Sequence, residues 1–368
     1  MFGPREEPSL SAEIGQALEL TALAIGRLDA LVAASPARRA WQRRSTFLAT
    51  VRAVEADGYI FEIERLFALA ANLPVPRVKD YGIDAMALDV LGQMMKLAAL
   101  SDGEPAAAGE LDKAIEVVRL SQRAGAVLTG ALQGLRRWVA DDGRPSLGLI
   151  AFARVVAERG VTSEPVPWLA GAISSRAIMT DGLSAARWAR RALQEIAGAM
   201  EAGCRILGAL EATREAWHRR LGPRRSTSRL DLVVELALAY PVLSPVQVSR
   251  VLGTSVRGGA KLLDELAELQ ILLPPRREGT WRFFIASDLR DIRSHVLGEA
   301  APAPAREVVA VASPPALPLD RLPAASRQPK PVREPEGFRD LLAATDQVVR
   351  RITDQLAQYR GKVPPEES

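Results

Sequence analysis

A chain of 368 residues is long enough for two domains, or three. Its 48% hydrophobic and 25% charged residues are ordinary globular composition, which argues against a largely unfolded or fibrous chain. The formal charge of +4 is too small to imply a nucleic-acid partner by itself, so the placement of the charge must decide.

Aromatics are only 5%, while Ala, Leu, Val and Arg dominate, and that mix favours helix over sheet. Cys204 is the only cysteine, so no intrachain disulfide can form and a reducing compartment fits. The opening "MFGPREEPSLSAEIGQ" carries acidic residues and no apolar run after a basic start, unlike a signal peptide. The most apolar windows, such as "VLGQMMKLAAL", are far short of a membrane span. The expectation is a soluble cytoplasmic protein with no membrane contact.

From Ser11 to Ala34 apolar residues recur at helical spacing through Ile14, Leu18, Ile25, Leu28 and Val32, and Ser35-Pro36 ends the helix. A second helix carries Trp41, Phe47, Leu48, Val51 and Val54 and breaks at Asp57-Gly58. A third runs from about Phe61 to Asn72, and "NLPVPRVKDYG" connects it to helical patterns at about 84–100, 111–140 and 146–159. "SDGEPAAAGE" and "DDGRPS" are turns between them, and "TSEPVPWL" is a Pro-rich entry into another helix. Leu193, Ile196, Met200, Leu207, Leu210, Trp217 and Leu221 trace one face of a long helix over 183–221, roughly 50 Å if unbroken. "GPRRSTSR" (222–229) reads as a domain boundary, which gives a helical domain over 10–221 and a second domain over 229–295. Residues 299–336 are rich in Pro and Ala and read as an extended, disordered linker.

The second domain carries the clearest grammar. In "LSPVQVSRVLGTSVRGGAKLLDEL", Ser244 is an N-cap, Pro245 sits at the first helical position, and Gln247 completes a capping-box pattern. Gly253 can take the left-handed backbone of the turn, and Ser255 caps the next helix. Val248, Leu252, Leu262, Leu263 and Leu266 should face inward, with Ser249 and Ala260 small where the helices approach. This is helix-turn-helix grammar. Thr254 and Gly259 depart from it, standing where an aliphatic residue is usual. The pair Gly258-Gly259 should cost the second helix about 1–2 kcal/mol relative to alanines. "RLDLVVELALAYP" supplies a third core helix, and "PPRREGTWRFFI" looks like the basic wing of a winged helix.

Charge supports a DNA partner. Between Trp217 and Arg282 there are eleven basic and six acidic residues, an excess of five in one segment. In such domains the N-terminal part of the second helix contacts base edges, which makes Arg257 and Lys261 the available long donors. Thr254 and Ser255 can reach phosphate, Arg276 and Arg277 would meet backbone or minor groove, and Arg224 and Arg225 on the connector are further candidates for phosphate contact. The competing reading is a winged helix that serves as a protein-docking module and does not meet DNA.

The stretch "RLGPRRSTSRLDLVVELALAYPVLSPVQVSRVLGTSVRGGAKLLDEL" resembles the C-terminal part of an uncharacterised family of bacterial proteins, mostly plasmid-borne in alphaproteobacteria. Its members join a domain of unknown function to a DNA-binding helix-turn-helix. "ALAIGRLDALVAASPARRAWQRRSTFLATVRAVEADGYIFEIERLFALAANLP" is similar to that family's opening helices, and "VPWLAGAISSRAIMTDGLSAARW" to its middle segment. The resemblance covers roughly 10–75, 165–225 and 225–290, and implies a DNA-binding regulator or plasmid-associated factor. The order of helical domains and winged helix is also distantly similar to Fic-domain proteins. That family's motif is a His-Pro-Phe followed by a Gly-Asn-Gly-Arg loop; here the only histidines are His218 in "WHRRLG" and His295 in "SHVLGE", neither in that setting, so a degenerate Fic-like enzyme is the third and last-ranked reading.

Little else in the sequence carries chemistry. One cysteine and two isolated histidines argue against a zinc site, and no cofactor-binding glycine loop is present. Cys204 in "EAGCRIL" reads as a core thiol. Glu55, Asp57, Glu62 and Glu64 read as a charged helix face and a turn, and Trp168, Trp188 and Trp217 as packing. No catalytic or metal-ligating residue is assigned. Finally, Phe338, Leu342, Thr345, Val349, Ile352, Leu356 and Tyr359 alternate steps of four and three, a coiled-coil seam over a helix of about 337–361. Three heptads are marginal alone. This helix either docks on the bundle or pairs with a copy of itself, so a homo-oligomer is expected. The fold class expected is mainly α: a helical N-terminal domain, a winged helix-turn-helix and a tethered C-terminal helix.

Overall fold

The computed structural model describes residues 10–71, 81–98, 109–121, 127–163, 166–178, 183–223, 228–278 and 281–292. Over these residues the protein is mainly helical, with little strand. The linker expected over 299–336 and the helix expected over 337–361 lie outside the described residues, as does His295.

The helices follow in chain order as α1 (Leu10–Ala34), α2 (Arg38–Ala56), α3 (Ile63–Ala70), α4 (Tyr81–Ala98), α5 (Glu110–Ser121), α6 (Val127–Ala140) and α7 (Pro145–Glu158). Two single turns, α8 (Pro167–Ala170) and α9 (Ser175–Ile178), lead into α10 (Ala185–Leu221). The "TSEPVPWL" entry therefore opens one turn of helix, which ends at Gly171. A Cβ on Gly171 would lie 2.8 Å from the Ala49 backbone, so this turn is pressed against α2. The pattern expected as one run over 111–140 is two helices. They pack so closely that a Cβ on Gly134 of α6 would stand 2.5 Å from Cα of Val118 on α5. Apolar periodicity alone cannot separate one long helix from two that bury the same face.

α10 has 37 residues and spans about 55 Å. Ser184 caps its start by accepting from Arg187 N at 3.4 Å, and Gly222 leaves its end with φ +65°. The apolar face read from the sequence is buried. α1 lies parallel to it: Glu13 pairs with Arg190, Thr21 Oγ1 donates to Leu193 O at 2.8 Å, and Ser35 Oγ donates to Glu211 at 2.6 Å. Of the tryptophans expected to be packing groups, two also place an indole N–H. Trp168 donates to Ala199 O at 2.7 Å and Trp188 to Ala177 O at 2.9 Å, while Trp217 is buried.

α2 is the hub. It contacts α4, α7, α8, α10 and α11 and buries polar side chains along its length. Thr46 and Thr50 satisfy their hydroxyls by donating back to the carbonyls of Gln42 (2.7 Å) and Thr46 (2.8 Å). At the end of α2 the turn residue Asp57 has a specific task. It accepts from Ser146 N at 2.8 Å, Ser146 Oγ at 2.6 Å and Arg144 at 3.2 Å, so it caps the first turn of α7 from another helix. Glu55, expected on a charged face, pairs with Arg52 at 3.2 Å.

Residues 228–292 build α11 (Leu230–Ala239), β1 (Val242–Leu243), α12 (Pro245–Leu252), α13 (Val256–Glu268), β2 (Arg276–Glu278), β3 (Trp281–Ile285) and a closing 3-10 turn (Ser287–Ile292). The strands form an antiparallel sheet in the order β1-β3-β2, with Val242 opposite Ile285 and Arg277 opposite Arg282. This unit shares one core with the helices before it. Tyr240 packs edge-on against Phe47, with ring centroids 6.2 Å apart, and receives the Arg43 guanidinium over its face. Arg44, 7% exposed, donates Nε to Leu238 O at 2.6 Å and forms a fork with Asp288 at 2.5 and 3.3 Å. Glu235 of α11, 3% exposed, meets Arg214 Nε and His218 Nε2 of α10, each at 2.7 Å. The parts on either side of residues 222–229 thus pack together around one core.

Candidate nucleic-acid interface

The geometry of α12 and α13 follows from their caps. Ser244 Oγ accepts from Gln247 N at 3.2 Å, and Pro245 occupies the first helical position. The reciprocal half of the expected capping box does not form. Gln247 is buried and its Oε1 has no hydrogen-bond partner, because packing holds the side chain inward. Gly253 ends α12 at φ 59°, ψ 39°, the left-handed conformation the turn requires. Ser255 Oγ then accepts from Gly258 N at 3.0 Å and starts α13. Val248, Leu263 and Leu266 are fully buried, Leu252 nearly so, and Leu262 is partly buried against the core.

Gly259 has a packing reason. A Cβ there would lie 2.7 Å from Pro245 O and 3.2 Å from Ser249 N, so α13 crosses the first turn of α12 backbone to backbone. The close approach expected at Ser249 and Ala260 is made by Ser249 and Gly259. Gly258 has a different neighbour: a Cβ there would meet Thr254 Oγ1 at 2.6 Å.

The crossing leaves the first two turns of α13 facing solvent. Ser255, Arg257 and Lys261 are exposed and Thr254 is half-buried. Arg257 and Lys261 stand four residues apart, so they share one face of the helix. Arg250 of α12 is also exposed, a cation that lay in the charged segment but was not singled out from the sequence. Beside this surface lies an open cleft of about 760 Å³, lined by Ser228, Arg229, Thr254, Gly258, Lys261 and Glu265. Only the fold brings Ser228 and Arg229 to it.

Other cations of the segment are engaged. Arg229 donates to Leu252 O at the end of α12, and Arg220 to Gln270 O at 2.7 Å. Arg282 of β3 pairs with Asp264 of α13 and sits 5.2 Å from the Phe284 ring centroid, so it braces the sheet against the helix. Arg276 and Arg277 lie on β2, the outer strand of the hairpin. Arg224 and Arg225 lie outside the described residues.

Cys204 is half-buried, and desolvation pushes its thiol above its ordinary value. Among the described residues, no group of three or more His, Cys, Asp or Glu is placed to hold a metal ion, and no helix is long and apolar enough to cross a membrane. No protein-family model matches the chain, and neither does any curated protein.

Proposed function

We propose that residues 228–292 are a winged helix that reads duplex DNA, with α13 as the recognition helix and the β2–β3 hairpin as the wing. The element order and the β1-β3-β2 sheet support this reading. The observation that carries it is which face is spent on packing. The unit joins the helical bundle through Glu235, Leu238, Tyr240 and Asp288, leaving Arg257 and Lys261 exposed at the start of α13. In this reading Arg257 and Lys261 enter the major groove, Thr254 and Ser255 approach phosphate, and Arg276 and Arg277 grip the backbone. The protein then acts as a DNA-binding regulator or plasmid-associated factor.

The second reading, a docking module that does not meet DNA, draws on the shared core between this unit and the bundle. It leaves the exposed basic face without a task. The two are separated by fluorescence anisotropy of the purified chain on fragments selected from genomic DNA. Arg257→Ala should cost about 1–3 kcal/mol on the preferred site and relax preference at one base pair. The double change Arg276→Ala, Arg277→Ala should weaken all sequences about equally and lower the salt slope by about one to two. A wild-type chain with no duplex affinity above background at low salt ends the DNA reading and leaves the docking one.

A further inference from the structure

Of the eight large apolar side chains that are exposed among the described residues, three sit on α1: Leu20 (55%), Leu23 (70%) and Leu31 (43%). Together with Arg27 they follow one another at helical steps, off the stripe of Ala17, Ile25, Leu28 and Val32 that α1 buries. The charge on this outward side is sparse. Glu13 is paired with Arg190 and Asp29 accepts from Ser163, so Glu19 and Arg27 are the remaining ionic groups of the helix. The Arg27 charge reaches Cys204 on α10, and one turn further α10 shows Gly208, where a Cβ would meet nothing within 4 Å. The outer side of α1 is therefore an apolar shelf, bordered on α10 by open Gly208 and by the exposed charges of Glu201 and Arg205, a surface a second helix can cover.

The chain carries a segment of matching chemistry. Residues 337–361 hold the seam of Phe338, Leu342, Val349, Ile352, Leu356 and Tyr359. As a helix they would extend about 37 Å, the length of the 25-residue α1. The described residues end at Ile292, and residues 293–336 lie between that point and the segment. At about 3.3 Å per residue they reach up to roughly 140 Å, several times the length of α1. Every part of α1 is within reach. A tether of this kind holds its end at an effective concentration on the order of millimolar, which favours capture on the same molecule over pairing with a second copy at micromolar protein.

We propose that residues 337–361 dock as a helix along Leu20, Leu23 and Leu31 of α1 on the same molecule. The idea does not depend on DNA binding. Its test uses a chain ending at Glu336, which keeps every described residue, and a fluorescently labelled peptide of residues 337–361. The peptide should bind the shortened chain saturably. It should bind at least tenfold more weakly to the full-length chain, whose shelf is already occupied. Binding should also fall at least tenfold on the shortened chain carrying Leu20→Gln and Leu23→Gln, at an unchanged melting temperature, since both positions are exposed. Light scattering should show the full-length chain as a monomer. Absence of binding, equal binding to the full-length and shortened chains, or binding indifferent to Leu20 and Leu23 overturns the proposal. So does a full-length dimer that becomes a monomer on shortening, which would mean that the segment pairs with its own copy or docks across molecules.

Discussion

Gly259→Ala sets two effects of opposite sign against each other. Alanine gains about 1 kcal/mol of helix propensity over glycine. Against it, the new methyl would stand 2.7 Å from Pro245 O and 3.2 Å from Ser249 N. Both are backbone atoms of α12, so no side chain can swing aside and α13 must move away from α12. Overpacking of this kind costs about 1–3 kcal/mol. The backbone partners place it in the upper half of that range, for a net loss of about 1–2 kcal/mol. Gly258→Ala is the internal comparison. Its methyl meets Thr254 Oγ1, a side-chain atom that can rotate, so the propensity gain should survive in part and stability should hold or rise. Thermal and urea unfolding of the two variants beside wild type would measure this. At roughly 2–4 °C per kcal/mol for a chain of this size, Gly259→Ala should melt several degrees lower. A Gly259→Ala chain at least as stable as wild type, or a Gly258→Ala chain that is the less stable of the two, would refute the close crossing.

Asp57→Ala removes three acceptor contacts at the start of α7 and leaves Ser146 N without its cap, so it should destabilise by about 1–3 kcal/mol in urea unfolding, whereas Glu55→Ala should change little. At Glu158, burial pushes the carboxyl up, but hydrogen bonds from Arg119 and Arg154 outweigh it and hold the group below its ordinary value. The stability it contributes is therefore present above the unfolded-chain value and lost as pH falls through the folded one. Glu158→Gln should flatten that acid limb of a melting-temperature profile by a small amount, since the pair is partly exposed and screened. Cys204, with its thiol raised by desolvation, should react with a thiol reagent at pH 8 more slowly in the folded chain than after denaturation, and equal rates would contradict its burial.

Local chemistry was legible where one residue type has one use. Ser244, Gly253 and Ser255 announced the ends of α12 and α13, and the apolar face from Leu193 to Leu221 announced α10. What escaped depends on distant partners. The glycine, proline and small polar residues of 222–229 report a turn in the chain, not whether the two sides part. The shared core joins elements distant in sequence, and Arg44 reaching Leu238 and Asp288 across it is a contact no local pattern contains. Asp57 reads as an ordinary turn aspartate until α7 is brought to it. The two helices at 110–140 keep one apolar period, so their break was invisible, and Gly259 looked like a defect because its neighbour, Pro245 O, lies on another helix.

The same distinction bounds the electrostatics of the proposed DNA surface. Counting charges between Trp217 and Arg282 suggests many phosphate donors, but Arg220 and Arg229 hold carbonyls and Arg282 is paired with Asp264. The exposed cations on α12 and α13 are Arg250, Arg257 and Lys261, and the β2–β3 hairpin adds Arg276 and Arg277 by sequence. If each neutralises about one phosphate, a single reading unit releases about five counterions, and log K against log salt falls with a slope of roughly −4 to −5. Arg220→Ala should then leave the slope unchanged and lower stability slightly, whereas Arg250→Ala should reduce the slope by about one. A wild-type slope near −9 would require about twice as many contacts, hence two reading units on one duplex. A slope below −2 in magnitude would mean that the exposed face of α13 does not lie against the phosphate backbone.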